Sequence, residues 1–331
     1  MHRTIPIFIP QIACPFRCIY CNQYLISGQQ QMPSDEEILT TISTYLPTFP
    51  SESDIELGFF GGTFTGLPIN EQERLLSLVN PFLENKSIHS IRLSTHPNFI
   101  TAENLELLVK KGVRTVELGV QSLDSDVLQR VHRGYTPDDV FRAASLVKSA
   151  GLELGMQMMI GLPGDTAEKA LKTAKTIIDL GARNTRIYPT LVVKNTILAK
   201  MYEEKQYQPL TIDEAVDWTA PVLSHFVDND ITVLRVGLHP TEGFISGTDY
   251  LAGPFHVSFK ELVESEIFRR QFQSAFPLDG NQIEIHVSPK KVNSAAGYGK
   301  SNRQWIESRF RKVRIVPDVV LRNYEFTFVV N

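Results

Sequence analysis

Cysteine is scarce in this chain: 331 residues contain three, and all of them lie between positions 14 and 21. An odd, clustered set cannot form the paired framework on which small secreted domains depend. Long apolar runs are also missing; none reaches the about 18 residues that a membrane-spanning helix needs. The short apolar stretch 5–12 is broken by two prolines and runs straight into the cysteines. It reads as a strand, not a signal peptide. A cytoplasmic, reducing setting with no membrane association is expected. Strong net charge is absent too: the formal value is -4, which gives no global attraction to nucleic acid. There is no internal repeat and no low-complexity linker. What remains is an ordinary globular composition, 42% hydrophobic and 21% charged. The length suits one large domain, or a large and a small one.

Along the chain, β-rich runs alternate with helical stretches. The runs TIPIFIP, IELGFF, IRLST, TVELGV, LELGMQMMI and TRIYPTLVV are apolar nearly throughout, as strands covered on both faces should be. Ser34 and Glu37 have the spacing of a capping box. Thr136 and Pro137 pair a cap with a proline at the first helical position. Thr166 opens a helix that Gly181 stops. Six such β-then-α units predict a parallel sheet with right-handed crossovers. A full eight-fold barrel takes about 250 residues, so these units predict an incomplete one. The expected class is α/β: a partial (β/α)6 TIM-like barrel with connecting helices over residues 1–243. Its open side is expected to be covered by the helices after Val193 or by the tail. ITVLRVGL reads as another strand. Residues 244–331 read as a small basic α+β region with strands QIEIHVS, VRIVP and YEFTFVV and the helix NRQWIESRF.

Cys14, Cys18 and Cys21 have the spacing C-x3-C-x2-C. Structural zinc usually takes four ligands, and no histidine lies within the motif to complete the set. An ordinary four-iron cluster also takes four thiolates. Three thiolates on such a cluster leave one iron open to another ligand. Tyr20 supplies an aromatic residue before Cys21, and the motif follows the first strand, at the end where barrel enzymes build their sites. In these features the stretch resembles the radical SAM superfamily. The resemblance implies that Cys14, Cys18 and Cys21 ligate a [4Fe-4S] cluster whose free iron chelates S-adenosylmethionine (SAM). It also implies reductive cleavage of SAM to a 5'-deoxyadenosyl radical, in a chamber that the protein keeps dry.

Later segments resemble the same superfamily in the same order. GFFGGTFTGLP follows the second strand, and its paired glycines allow a close backbone approach to a ligand. The resemblance maps Gly61, Gly62 and Thr63 onto the segment that meets SAM's amino group. Threonine there, where glutamate is usual, is similar to the catalytic subunit of Elongator. Ser94 and Thr95 fall where related enzymes place polar groups near SAM, with loop capping as the alternative; His96 reads as a loop residue. Gln121 is expected at the SAM ribose and Arg133 at its carboxylate, since a guanidinium suits bidentate pairing. Tyr135 stands where relatives often have histidine. Glu117 is open between a functional group facing the barrel and a buried, paired carboxylate. In QMMIGLPGDT, Gly161 and Gly164 match family glycines, Met159 and Gln157 depart from the pattern, and Gly161 and Leu162 are expected against adenine. Tyr188 and Lys194 are candidates to face the reaction chamber.

The resemblance spans roughly residues 7–243. Within the superfamily it points to the radical SAM domain of the Elongator catalytic subunit and, more distantly, to oxygen-independent coproporphyrinogen oxidase. No coenzyme A signature of an acetyltransferase domain follows. The leading expectation is a radical SAM enzyme that modifies tRNA or another RNA. Two alternatives stay open: a coproporphyrinogen-oxidase-like enzyme acting on a tetrapyrrole or small molecule, and a non-catalytic iron–sulfur or RNA-binding protein. This chain has no further cysteine for a second cluster, so a separate flavodoxin or ferredoxin is expected to donate the electron. The tail is basic: residues 282–331 hold nine Lys or Arg against four Asp or Glu. Lys290, Lys291, Lys300 and Arg303, with Tyr298, Trp305 and Tyr324, form a candidate RNA surface. Asn302 is placed as the cap of the next helix. The plain alternative is a solvated face that balances acidic helices elsewhere.

Overall fold

The computed structural model describes residues 2–11, 14, 18–29, 31–276 and 279–330. Within the cysteine stretch, Ala13 and residues 15–17 lie outside this set. The expected strands form and lie side by side in chain order: β1 (His2–Ile9), β2 (Asp54–Gly61), β3 (Ser90–Thr95), β4 (Val113–Gln121), β5 (Glu153–Ile160) and β6 (Asn184–Pro189). Each neighbouring pair is parallel. After the short β7 (Val192–Val193), the run ITVLRVGL forms β8 (Thr232–Val236), which pairs in parallel with β6. The sheet therefore has seven strands and not six. The sequence shows this run as a strand but not as a member of the barrel sheet, because two helices, Ile197–Glu203 and Ile212–Asp228, separate it from β6 and break the earlier βα rhythm. Among the described residues, β1 and β8 each pair on one side only, so the sheet curls into a partial barrel without closing.

Local chemistry starts the helices where the sequence places them. Ser34 and Glu37 bond reciprocally in a capping box before Asp35–Tyr45. Thr136 and Asp139 do the same before Pro137–Ser149, with the proline at the first helical position. Each such cap contributes about 1 kcal/mol. Thr166 caps Ala167–Asp179, which buries Ala170, Thr173, Ala174 and Ile177. That spacing is one stripe of a helix, and the stripe faces the sheet.

The strands depart from the apolar-on-both-faces reading. One set of alternate residues, such as Leu57, Leu93, Val116 and Met156, is fully buried. The other set is largely polar and meets inside the curl. Arg92 donates to Glu56 at 2.7 Å, to Glu117 at 2.9 Å and to Asn184 at 2.9 Å. Arg186 grips Glu117 through two nitrogens at 2.7 and 3.1 Å. Glu117 is thus a buried, paired carboxylate. Burial works to raise its pKa, but Arg186 and then Arg92 bring it below the ordinary carboxylate value.

The tail forms a second sheet. Its central strand β10 (Gly280–Val287) has β11 (Phe310–Pro317) parallel on one side and β12 (Phe326–Val330) antiparallel on the other. The helix Phe259–Ala275 packs on Ile212–Asp228 and on the tail helices. A short antiparallel pair joins β7 to β9 (Tyr250–Ala252), which lies between the two regions in sequence. Asn302 corrects an expectation: it sits inside the helix Ser301–Glu307, and Lys300 is the cap residue. The Asn302 side chain is buried, donates to the Ser265 carbonyl at 2.8 Å and accepts from Arg269 at 2.8 Å. It ties two helices together instead of capping one.

Candidate active site at the open end of the barrel

A cavity of ≈ 810 Å³ runs inside the barrel, from the C-terminal strand ends down to the start of β1. Cys14, Cys18, Tyr20 and Cys21 line its upper wall with Gly61, Gly62, Thr63, Ser94, Gln121 and Arg133. Tyr188 and Met159 also face it. Gly161, Leu162 and Lys194, expected at SAM or facing the chamber, are not on this wall. Leu162 is buried behind Cys18, Ile19 and Tyr20. Gly161 lines a separate cavity of ≈ 320 Å³, where its carbonyl accepts from the Tyr207 hydroxyl at 2.6 Å. Lys194 is held through its backbone, with its N–H donating to Asp249 and its carbonyl accepting from Asn22. The tail contributes no described residue to the wall either. On the open side the wall is completed by β8 and the loop after it, through Leu234, Arg235, Leu238, His239 and Thr241.

The thiols have specific neighbours. Cys14 Sγ lies 3.2 Å from the Thr63 hydroxyl. Cys18 Sγ accepts from Arg133 Nη1 at 3.1 Å. The other guanidinium nitrogens are already used: Nε donates to the Tyr135 hydroxyl at 3.1 Å and Nη2 to the Gly119 carbonyl. Tyr135 in turn donates to the Gly119 carbonyl at 2.9 Å and contacts the Val120 carbonyl. Arg133 also lies over the Tyr135 ring, 5.1 Å from its centroid, a cation–π placement. Tyr135 therefore aims Arg133 at the sulfur, a role that nothing in its sequence position reveals. His96 accepts from the Asn98 N–H and lies 3.1 Å from the Arg133 carbonyl. Burial, and then the Arg133 charge, push its pKa down to about 3.

The paired glycines turn out to be required by the backbone. A Cβ on Gly61, whose φ is +100°, or on Gly62 would run into the carbonyl of Ile9 or Pro10. Gly62 N–H instead donates to the Ile9 carbonyl at 2.7 Å. The close approach joins the end of β2 to the base of the cysteine stretch. Gln121 carries a different mark: its φ is +62° at a register shift between β4 and β5. A non-glycine residue held in that region is strained, and such strain concentrates where side chains are aimed for function.

Three thiols face this cavity, but as placed no three Cys, His, Asp or Glu side chains among the described residues form a metal site. Burial, then the neighbouring Cys18 and Cys14, push the Cys21 thiol up to about 12, a penalty that a bound metal removes by holding the thiolate. The Tyr20 hydroxyl is buried beside the thiols with no hydrogen-bond partner among the described residues. Among the described residues the wall bears four arginines, Arg92, Arg133, Arg186 and Arg235, and no carboxylate.

Residues 8–177 match the family model of the radical SAM superfamily, and residues 183–269 match the Radical_SAM C-terminal domain. The chain belongs to the radical SAM superfamily. Radical SAM proteins generally use a [4Fe-4S] cluster and SAM and draw on an electron donor. Membership makes the chain an enzyme whose substrate the family match leaves unspecified. It is 27% identical over 240 residues to a tRNA uridine(34) acetyltransferase of Dehalococcoides mccartyi, covering 62% of this chain and 52% of the relative. It is 27% identical over 198 residues to the heme chaperone HemW of Bacillus subtilis, covering 58% and 52%. The chain thus spans about half the length of these curated relatives. In structure it is similar to an archaeal Elp3 of Methanocaldococcus infernus, with a TM-score of 0.64 at 22% identity over 82% of this chain and 63% of that one. Among the described residues, no helix is long and apolar enough to cross a membrane.

Proposed function

We propose that this radical SAM chain holds a [4Fe-4S] cluster on Cys14, Cys18 and Cys21 and binds SAM beside it. The observation that carries this reading is the convergence of three thiols on one chamber wall at the C-terminal strand ends, with Arg133 donating to one sulfur. When bound, the cluster and SAM would supply one-electron reduction and an organic radical. The chain's own residues position and shield. Arg133 offsets thiolate charge, and Tyr135 fixes its direction. Gln121, Thr63 and Ser94 offer polar groups to SAM. Phe8, Phe60 and Met159 give the chamber an apolar lining that excludes water. A separate flavodoxin or ferredoxin supplies the electron. Protein reconstituted anaerobically with iron and sulfide, then given dithionite and SAM, should release 5'-deoxyadenosine and methionine. No release would sink the enzyme reading.

The substrate class we favour is tRNA. The similarity to tRNA uridine(34) acetyltransferases over the barrel supports it. So do Lys290, Lys300, Arg311 and Lys312 of the tail, which have no ion pair among the described residues and are free to meet phosphates. Bulk tRNA incubated with the loaded enzyme should gain a nucleoside of altered mass. Unaltered tRNA alongside continued 5'-deoxyadenosine release would remove RNA and leave the radical chemistry standing. The similarity to HemW favours a second reading, a tetrapyrrole ligand. Heme binding by the purified chain tests it.

A further inference from the structure

Three of the four wall arginines have partners. Arg92 and Arg186 are answered by Glu56 and Glu117, and Arg133 by Cys18, Gly119 and Tyr135. Arg235 is different. It is half-buried on β8 and has no hydrogen bond, ion pair or ring contact among the described residues. The sheet register sets it directly beside Arg186. Its other ionisable neighbours are His239, whose pKa is lowered by burial and then by the Arg235 charge, and the Tyr188 phenol. Like charges on paired strands repel, and a half-buried cation without a counter-charge is costly. No Asp or Glu among the described residues of the cavity wall relieves that cost.

The register runs Gly119, Gln157, Arg186, Arg235 across four adjacent strands. Arg235 lies one residue before the C-terminal end of β8 and lines the same cavity as Gly119, Gln121 and Tyr188. We propose that Arg235 anchors an anionic group of the substrate, a phosphate or a carboxylate, on the chamber wall beside Tyr188. This rests on the chamber being the substrate site, as proposed above. A guanidinium pairs with either anion through two parallel N–H bonds, which fixes orientation as well as binding. The substrate's reacting carbon would then extend upwards, towards the cysteines.

The test uses the full chain loaded with its cluster and needs neither SAM nor turnover. Phenylglyoxal modifies accessible, unpaired guanidinium groups. Modification of Arg235 is followed by peptide mass spectrometry in chloride, inorganic phosphate or acetate at matched ionic strength. Arg235 should react faster than Arg92 and Arg186. Phosphate or acetate at ten times its dissociation constant should slow the reaction about elevenfold. Protection by phosphate alone points to a phosphate-bearing substrate and protection by acetate alone to a carboxylate; protection by both supports an anchor for either anion. Equal rates in all three salts overturn the proposal. By NMR, the His239 titration should move upwards when phosphate binds the native chain, and should not move in Arg235→Gln. An unmoved His239 in the native chain also counts against the anchor. Loss of 5'-deoxyadenosine formation and failure of anion protection are separate results, so each reading stands or falls alone.

Discussion

The two ends of the barrel interior are made from the same alternation of strand residues but treat polar groups differently. In the lower half, Glu56, Arg92, Glu117, Asn184 and Arg186 form a buried lattice in which every charge has an opposite partner. At the upper end, three thiols, an unpartnered Tyr20 hydroxyl and a strained Gln121 face the same cavity. The lower lattice is satisfied by its own charges, whereas at the upper end the thiols have only single polar neighbours and the Tyr20 hydroxyl has none among the described residues. A chain that tolerates strain and unmet polar groups at one end is using the other end to hold the walls in place.

Substitutions at each end should break this comparison in different ways. The largest effect is expected from Cys18→Ala, which should abolish four-iron absorbance and 5'-deoxyadenosine release while the thermal melt stays close to native. Retained four-iron absorbance would contradict the ligand assignment. Glu117→Gln should act the other way round, leaving two buried arginines short of charge. Its cost is about 3–5 kcal/mol, read from the urea midpoint. The native Glu117 pKa is lowered, so its stabilising contribution is present above the ordinary carboxylate pKa and fades as pH falls through the folded value.

His96 sharpens the comparison through pH. Its folded pKa lies at about 3, below the ordinary 6.5, so between those values the unfolded chain takes up a proton that the folded chain refuses. Stability should fall as pH drops from 6.5 towards 3, and His96→Gln should flatten that slope in denaturation series across the window. The smallest effect is expected outside the barrel. Arg303 pairs with Glu307 on an exposed helix face at 2.7 Å, and Arg303→Ala should shift stability by no more than about 0.5 kcal/mol.

The parts of this molecule that depend on local chemistry were legible in the sequence. Caps at Ser34, Thr136 and Thr166 act within four residues, and the structure contains each of them. The strand runs were legible as strands, but their polar faces were not. Glu56, Arg92 and Arg186 each stand alone in an apolar context, and only the sheet register brings them together. Asn302 was misplaced for the same reason: its partners, Ser265 and Arg269, lie on another helix. The cysteine motif was legible because its spacing is itself the signal. Nothing in ELGVQS marks Gln121 as strained, because a bulge is a property of two paired strands.

The unpaired edges of β1 and β8 have a mechanical consequence. Between all other neighbours in the sheet, widening the barrel would mean breaking a ladder of hydrogen bonds. Along this seam the described residues form no such ladder, so hydrogen bonds between strands do not hold it shut. Movement of β8 would carry Arg235 with it and would press on the helix Phe259–Ala275, which packs against that strand and against the tail helices. A guest entering through the seam would therefore be felt at the far sheet, some distance from any atom it touches.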